Sequence, residues 1–235
     1  MKTMTFNALV LALIFGGAAH AAQSIDQTRP VEANAHIDIS NIKGSLTVSG
    51  WNKDEVHVTG TLGEGAKGLK IDGDRGHLTI KVEPPDDHGW FSWGADSHMG
   101  NTVLEVSVPH TAQLKLETVS ADVAVSGVDG QMLDANTVSG KLRIDSSVKQ
   151  IEAESVSGDM DVSGGVEHAH LQTVSGDIRA HKLGGEVHFE TVSGNVDAQT
   201  LGYSKLDVGT VSGDVTLSGA PSAGARIGIE TMSGD

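Results

Sequence analysis

Val187-His188-Phe189-Glu190-Thr191-Val192-Ser193-Gly194-Asn195-Val196-Asp197-Ala198 returns 19 residues later as Leu206-Asp207-Val208-Gly209-Thr210-Val211-Ser212-Gly213-Asp214-Val215-Thr216-Leu217, and that repetition settles the architecture. Val-Ser-Gly recurs at Val138, Val156, Val174, Val192 and Val211, with Val119-Ser120-Ala121 before and Met232-Ser233-Gly234 after. From Val119 onward the spacings are 19, 18, 18, 18, 19 and 21 residues. A fixed period near 20 residues marks a stack of like units, none of which can bury its apolar face alone. With the Val as position zero, apolar residues also recur at minus five, minus three, plus four and plus six. Around Val119 these are Leu114, Leu116, Val123 and Val125; around Val192 they are Val187, Phe189, Val196 and Ala198. Upstream, Ile37, Ile39, Ile42, Gly44, Leu46 and Val48 keep the same spacing and form a looser eighth copy.

Within each half of the repeat the apolar residues alternate, which is the period of a half-buried strand and not of a helix. Between the halves the parity slips by one, as at a bulge or corner, with Gly expected to supply backbone freedom. Each repeat is therefore read as two short strands joined by a bend. Eighteen residues at about 3.3 Å each trace a path of roughly 60 Å, enough for one closed coil, and coils stack about 4.8 Å apart. The expected fold is all-β: a parallel β-solenoid of about 18–19 residues per repeat, preceded by an irregular β segment. No Pro occurs between residues 110 and 220, as needed where nearly every N–H joins a ladder.

Stacking makes predictions about the outward positions. At plus five lie Arg143, Asp161, Arg179 and Asp197, an alternation in which each inner residue falls between opposite charges, worth about 0.2–1 kcal/mol per pair. At plus three lie Asp159, Asp177, Asn195 and Asp214. Two carboxylates about 4.8 Å apart repel by roughly 0.9 kcal/mol in water and more where water is scarce, so this column is expected to be exposed or cation-bound. Asp74-Arg75-Gly76, between Ile71 and Leu78, reads as a hairpin turn.

The chain has 235 residues, 38% of them hydrophobic but only 3% aromatic, with 30 Gly, 5 Pro and no Cys. That composition excludes disorder and collagen, disulfides, thiolate metal sites and thiol catalysis. With 16 Lys and Arg against 31 Asp and Glu the net charge is -15, which repels nucleic acid and anionic lipid. Residues 1–21 carry Lys2, an apolar run from Ala8 to Phe15 and the small-residue site Ala19-His20-Ala21. They read as a secretory signal peptide cleaved after Ala21, with an apolar run too short for a membrane span. Without Cys a lipid anchor through a mature N-terminal cysteine is impossible. The expected organisation is a signal peptide over 1–21, an N-terminal β segment with first coil, hairpin and aromatic loop over 22–101, and the repeat solenoid over 102–235. At Ser233-Gly234-Asp235 the motif predicts another strand, so the sequence reads as one truncated at its C-terminus.

The Thr-Val-Ser-Gly-Asp repeats and the segment Gly44-Ser45-Leu46-Thr47-Val48-Ser49-Gly50-Trp51 resemble the toastrack family, adhesin-like β-repeat domains of bacteria catalogued as a domain of unknown function. The resemblance spans residues 33–235. It implies a right-handed β-helix-like solenoid in exported or membrane-attached proteins, some of them linked to envelope stress responses, and it brings no catalytic residues with it.

Two places depart from the repeat. The segment from Pro84 to Asn101 breaks the β pattern and holds Trp90, Phe91 and Trp93, three of the six aromatics outside the leader. These rings read either as a binding loop that stacks on sugar or docks a protein, or as a plug over the first coils. His88, His98, Asp86, Asp87 and Asp96 share that loop but lack a diagnostic ligand spacing. The second place holds His168, His170 and His188, where His170 and His188 occupy position minus four of adjacent repeats. Stacking puts three imidazoles within about 7 Å of one another, either as a zinc, copper or nickel site or simply as part of a polar outer face. The acidic column could collect Ca²⁺ or simply form turns, and it lacks the Gly-Gly-x-Gly-x-Asp calcium signature.

Ser139, Ser157, Ser175, Ser193 and Ser212 form a structural ladder, because a nucleophile needs one activated site and not a row of equivalents. No phosphate-cradling Gly-Lys-Ser/Thr loop, Gly-x-Ser-x-Gly elbow or His-Glu-x-x-His occurs. The expected function is a non-enzymatic, exported, structural or adhesin-like interaction module at the bacterial cell envelope, periplasmic or at the surface. It takes an envelope protein or glycan as partner and needs no cofactor, nucleic acid or transmembrane helix. The alternatives are an envelope-stress sensing scaffold and a β-helix enzyme acting on polysaccharide, the latter needing an acid and a base about 5–10 Å apart.

Overall fold

The computed structural model describes residues 23–84 and 99–234. The leader expected over 1–21 and the aromatic residues Trp90, Phe91 and Trp93 lie outside the described residues. Within them the chain is all strand and turn, with no helix. In order the strands are β1 (Ser24–Pro30), β2 (His36–Trp51), β3 (Glu55–Thr61), β4 (Gly68–Gly73), β5 (His77–Glu83), β6 (Thr102–Pro109), β7 (Gln113–Ser126), β8 (Met132–Thr137), β9 (Leu142–Asp145), β10 (Gln150–Ser155), β11 (Met160–Ser163), β12 (His168–Thr173), β13 (Ile178–Ser193), β14 (Val196–Ser212) and β15 (Val215–Ser233).

From β7 onward the topology is the parallel solenoid the period predicts, with about six turns and a repeat near 19 residues. One side stacks β7, β8, β10, β12 and the second half of β13; the other stacks the end of β7, β9, β11 and the first half of β13. Like-numbered residues are register partners: Leu133 pairs Leu114 and Ile151, and Arg143 pairs Ala124 and Asp161. The looser upstream copy takes its place in the same stack. Ile37, Ile39, Leu46 and Val48 pair Leu114, Leu116, Val123 and Val125, each 77 positions further along the chain.

The residues between them make the N-terminal end. β5 and β6 pair β2 in parallel as a preceding coil, while β4 on β5 and β3 on β6 add antiparallel strands and β1 closes on β3. The expected hairpin is present: Asp74 accepts from the backbone N–H of Gly76 and His77 through Oδ1, at 2.8 and 3.0 Å. The antiparallel strands finish this end of the stack so that its core, including Val56, Val58 and Leu78, is buried.

The interior is filled by the columns at minus five, minus three, plus four and plus six. Leu133, Ile151, Leu116, Leu171, Leu142, Ile178, Ile144 and Val162 are all essentially inaccessible, and Phe189 is the largest fully buried side chain. At about 25 cal/mol per Å² of apolar area removed from water, these columns are the main source of stability in a chain without disulfides.

At the corner the structure settles a facing that the period left open, and the Gly departs from expectation. The Val of Val-Ser-Gly points outward: Val138, Val156, Val174, Val192 and Val211 are 44–48% exposed. The preceding residue turns inward instead, so Thr118, Thr137, Ser155, Thr173, Thr191 and Thr210 are buried and continue the alternation of minus five and minus three. The Gly serves close approach rather than freedom. A Cβ on Gly140 would sit 1.9 Å from the Ala121 carbonyl oxygen, and one on Gly158 would sit 1.9 Å from that of Gly140. The coils stack backbone on backbone here, with Ser157 N–H donating to the Val138 carbonyl and Ser175 N–H to that of Val156, both at 2.9 Å.

Candidate functional site

Two outward faces carry the polar side chains. The first is formed by the strands at minus six to minus two. Its central column runs Lys115, Asp134, Glu152, His170, His188 and Asp207 in direct register. His170 and His188 therefore meet as expected, their rings stacked with centroids 4.8 Å apart and planes 22° from parallel. His188 Nε2 lies 2.7 Å from Glu190 Oε1 on its own strand, and His168 Nδ1 lies 3.7 Å from Glu186 Oε2 on the next coil. The histidines, with Gln150, Glu186, Lys205 and Asp207, line a shallow cavity of about 170 Å³.

The three imidazoles are thus brought to one place, but each of His168 and His188 points a nitrogen at its own carboxylate. Among the described residues no group of three His, Asp or Glu side chains is arranged to hold a metal ion. What the arrangement offers is a set of amide, imidazole, ammonium and carboxylate groups lining one shallow cavity. Higher in the same column, burial and then the Glu152 carboxylate push Asp134 above its ordinary value of 3.8, the direction desolvation and a like charge both impose.

The second face carries the plus-three and plus-five columns. The acidic column is not held by cations alone: one side-chain oxygen of each of Asp159, Asp177 and Asn195 accepts the backbone N–H of the residue one coil on. Asp177 N–H donates to Asp159 Oδ1 at 3.2 Å, Asn195 N–H to Asp177 Oδ1 at 3.0 Å and Asp214 N–H to Asn195 Oδ1 at 3.0 Å. Earlier in the column Lys141 N–H donates to Asp122 Oδ1 at 3.0 Å. Lys141 has no acceptor to continue the series, and its ammonium instead lies 3.4 Å from Asp159 Oδ2.

The Asp177 N–H, more than any other group, holds the Asp159 carboxyl below its ordinary value of 3.8, with Lys141 and Arg179 acting in the same sense. The plus-five residues are vertical neighbours as expected, but their charges pair differently. Arg143 Nε reaches Asp161 Oδ2 at 3.8 Å, whereas the Arg179 guanidinium turns to the acidic column, 2.9 Å from Asp177 Oδ2 and 3.9 Å from Asp159 Oδ2. Asp177, Arg179, Asn195, Asp197 and Asp214 line a second open cavity of about 290 Å³.

Between the two faces runs the corner of five exposed valines. Sequence reasoning assigned the Val column no surface role. Its signal was the Thr at minus one, which already completes the inward alternation and leaves the Val no place inside.

The Toastrack DUF4097 family model matches residues 23–235. The chain belongs to the Toastrack family. Among solved structures, this Toastrack chain is similar to a "putative adhesin" from Bacteroides fragilis NCTC 9343, with 14% identity, a TM-score of 0.60 and coverage of 93% of this chain and 98% of that one. It is also similar to a "putative lipid binding protein" from Parabacteroides distasonis ATCC 8503, with 16% identity, a TM-score of 0.52 and coverage of 91% and 98%. At such identities the likeness establishes the shared fold. Among curated proteins none matches significantly. No helix among the described residues is long and apolar enough to cross a membrane.

Proposed function

We propose that this Toastrack chain is an exported, non-enzymatic interaction module of the bacterial cell envelope, presenting a rigid, acidic, ladder-ordered surface to an envelope protein or glycan. The observation that carries this reading is the outer geometry of the stack. The same position repeats every coil, so polar columns and a stripe of five exposed valines lie in parallel rows. Such rows suit a partner that is itself extended and repetitive, with apolar contact along the valines and hydrogen bonds along the flanking columns. The charged groups are held by neighbours along the ladder, as Asp159 is by Asp177 N–H and Lys141; a general acid or base needs a group free to exchange its proton with substrate.

One structural relative is named as lipid binding. Here the coil interior is occupied by side chains and the net charge is -15, so a protein or neutral glycan is favoured over anionic lipid. Trp90, Phe91 and Trp93 are proposed to add ring-stacking contacts to the same partner.

The test is co-sedimentation of the purified protein with isolated cell envelopes, alongside assay of the supernatant for released sugar. Saturable binding that weakens in a Val156→Asp/Val174→Asp variant and in a Trp90→Ala/Trp93→Ala variant, with no sugar released, is expected. Binding equal in all three proteins would contradict the assignment of the surface. Sugar release abolished by His170→Ala/His188→Ala would replace the module with a polysaccharide-degrading enzyme.

A further inference from the structure

The corner stripe has a chemistry that selects among partners. Val138, Val156, Val174, Val192 and Val211 are 44–48% exposed, one per coil, and the row is unbroken over five coils. Beside it, Ser139 and Ser157 donate through Oγ to the carbonyls of Val119 and Val138 in the preceding coil, both at 3.2 Å, so their protons are turned into the stack. The outward positions beyond are acidic. Over these five coils, the twenty positions at minus four, minus two, plus three and plus five hold ten carboxylates against three cations, Lys141, Arg143 and Arg179. All three cations lie on one side of the stripe, and each already lies beside an aspartate, at 3.4, 3.8 and 2.9 Å. On the other side the minus-two and minus-four columns of these coils hold no cation. Glu154 there is exposed and, among the described residues, has no ion-pair partner.

An apolar row between two fields of negative charge repels a second copy of this chain and an anionic lipid surface, and gives a neutral glycan no electrostatic advantage. It suits apolar side chains flanked on both sides by Lys and Arg. The pitch of the stack then chooses their conformation. Like positions recur about every 4.8 Å. A helix repeats its face each turn, about 5.4 Å, and drifts by only about 0.6 Å per coil. A strand repeats its face about every 6.6 Å and drifts by about 1.8 Å per coil. Five valines span roughly 19 Å, the length of about 13 helical residues.

We propose that the valine stripe is the docking surface for a basic amphipathic helix of a partner protein. Its apolar anchors, at i, i+3 or i+4 and i+7, run along Val138 to Val211, and its Lys and Arg side chains reach the acidic columns on either side. The docking surface belongs to the interaction module proposed above and rests on that reading, committing it to a protein partner.

Calorimetry on the purified protein tests this, with a synthetic 14-residue peptide of leucine and lysine whose leucines share one helical face. Binding tighter than about 100 µM is expected, weakening as salt is raised. Val156→Ser/Val174→Ser, which leaves the charge unchanged, should weaken it about tenfold. Glu154→Gln/Glu190→Gln should weaken it about fivefold, with a shallower salt dependence. Asp129→Asn/Glu167→Gln removes the same charge from the loops before β8 and β12 and should change binding less than about twofold. A peptide of the same composition with its leucines scattered around the helix should bind about tenfold more weakly. No binding to the wild type at about 100 µM, or a loss from the Asp129/Glu167 pair as large as from the valine pair, would overturn the proposal. A wild type that ignores the peptide yet sediments with envelopes through Val156 and Val174 would remove the helix as occupant and leave the interaction module standing.

Discussion

Asp159 shows how much one side chain settles in a stacked fold. Its carboxylate accepts the Asp177 N–H across the coil step and receives Lys141 from the preceding coil. The Asp to Asn change along the column at Asn195, where Oδ1 makes the same contact to Asp214 N–H, shows that the accepting oxygen matters more than the charge. Asp159→Ala should therefore cost about 1 kcal/mol in chemical denaturation, and Asp159→Asn distinctly less. The folded carboxyl is held below its ordinary 3.8, so the unfolded chain takes up this proton first. The contribution is present above the ordinary value and is lost as pH falls through the lowered one. The stability gap between wild type and Asp159→Ala should accordingly shrink on acidification; a gap that widened would contradict the assignment. Gly158 is constrained differently, by the Gly140 carbonyl 1.9 Å from any Cβ. Gly158→Ala should cost about 3 kcal/mol, whereas Gly165→Ala, whose Cβ would have only Ser147 Oγ at 4.0 Å, should be nearly neutral. The acidic column was visible in the sequence. Its acceptor role was not, because the reach of an oxygen to the next coil's N–H depends on the path of the corner.

At the scale of the strand, period-two alternation located β2 and the strands from β7 onward, since side chains at minus five, minus three, plus four and plus six had to share one interior. The facing of the corner was not legible from hydropathy alone, because valine is apolar and threonine is not, yet it is the threonine that is inside. The backbone decides otherwise: a strand that buries Leu133 and Ala135 must next bury Thr137. The buried hydroxyls are unequal. Thr137 Oγ1 accepts from Thr118 Oγ1 at 2.9 Å and from Gly140 N–H at 3.1 Å, whereas Thr173 Oγ1 has no partner among the described residues. Thr137→Val should cost about 1–2 kcal/mol, and Thr173→Val should be neutral within about 0.5 kcal/mol or stabilising. Equal losses measured by urea unfolding would show that the two hydroxyls are in the same environment.

For the molecule as a whole, the repeat fixed the handling of residues 113–233, but the N-terminal end left little trace in it. β2 lies directly against β7, with β5 and β6 on its other side, because pairing between strands far apart in the chain imposes no period on the residues between them. The Ile37 to Val48 spacing was legible since it had to match Leu114 to Val125; the antiparallel closure by β1, β3 and β4 was not. The candidate site was legible only where it obeyed the stack. His170 beside His188 followed from an 18-residue spacing, while the turn of Arg179 toward Asp177 depended on side-chain reach. Every functional statement, from the valine stripe to the acidic ladder, requires that like positions be vertical neighbours. The chain has no Cys, so nitroxide labels can be placed at will. Glu117 and Glu190 are joined through the register partners Asn136, Glu154 and Gln172, four coil steps in all. Dipolar spectroscopy on a Glu117→Cys/Glu190→Cys pair should give a narrow distribution near about 19 Å, four spacings of about 4.8 Å. A broad distribution centred well beyond about 30 Å would mean that the coils do not stack in register.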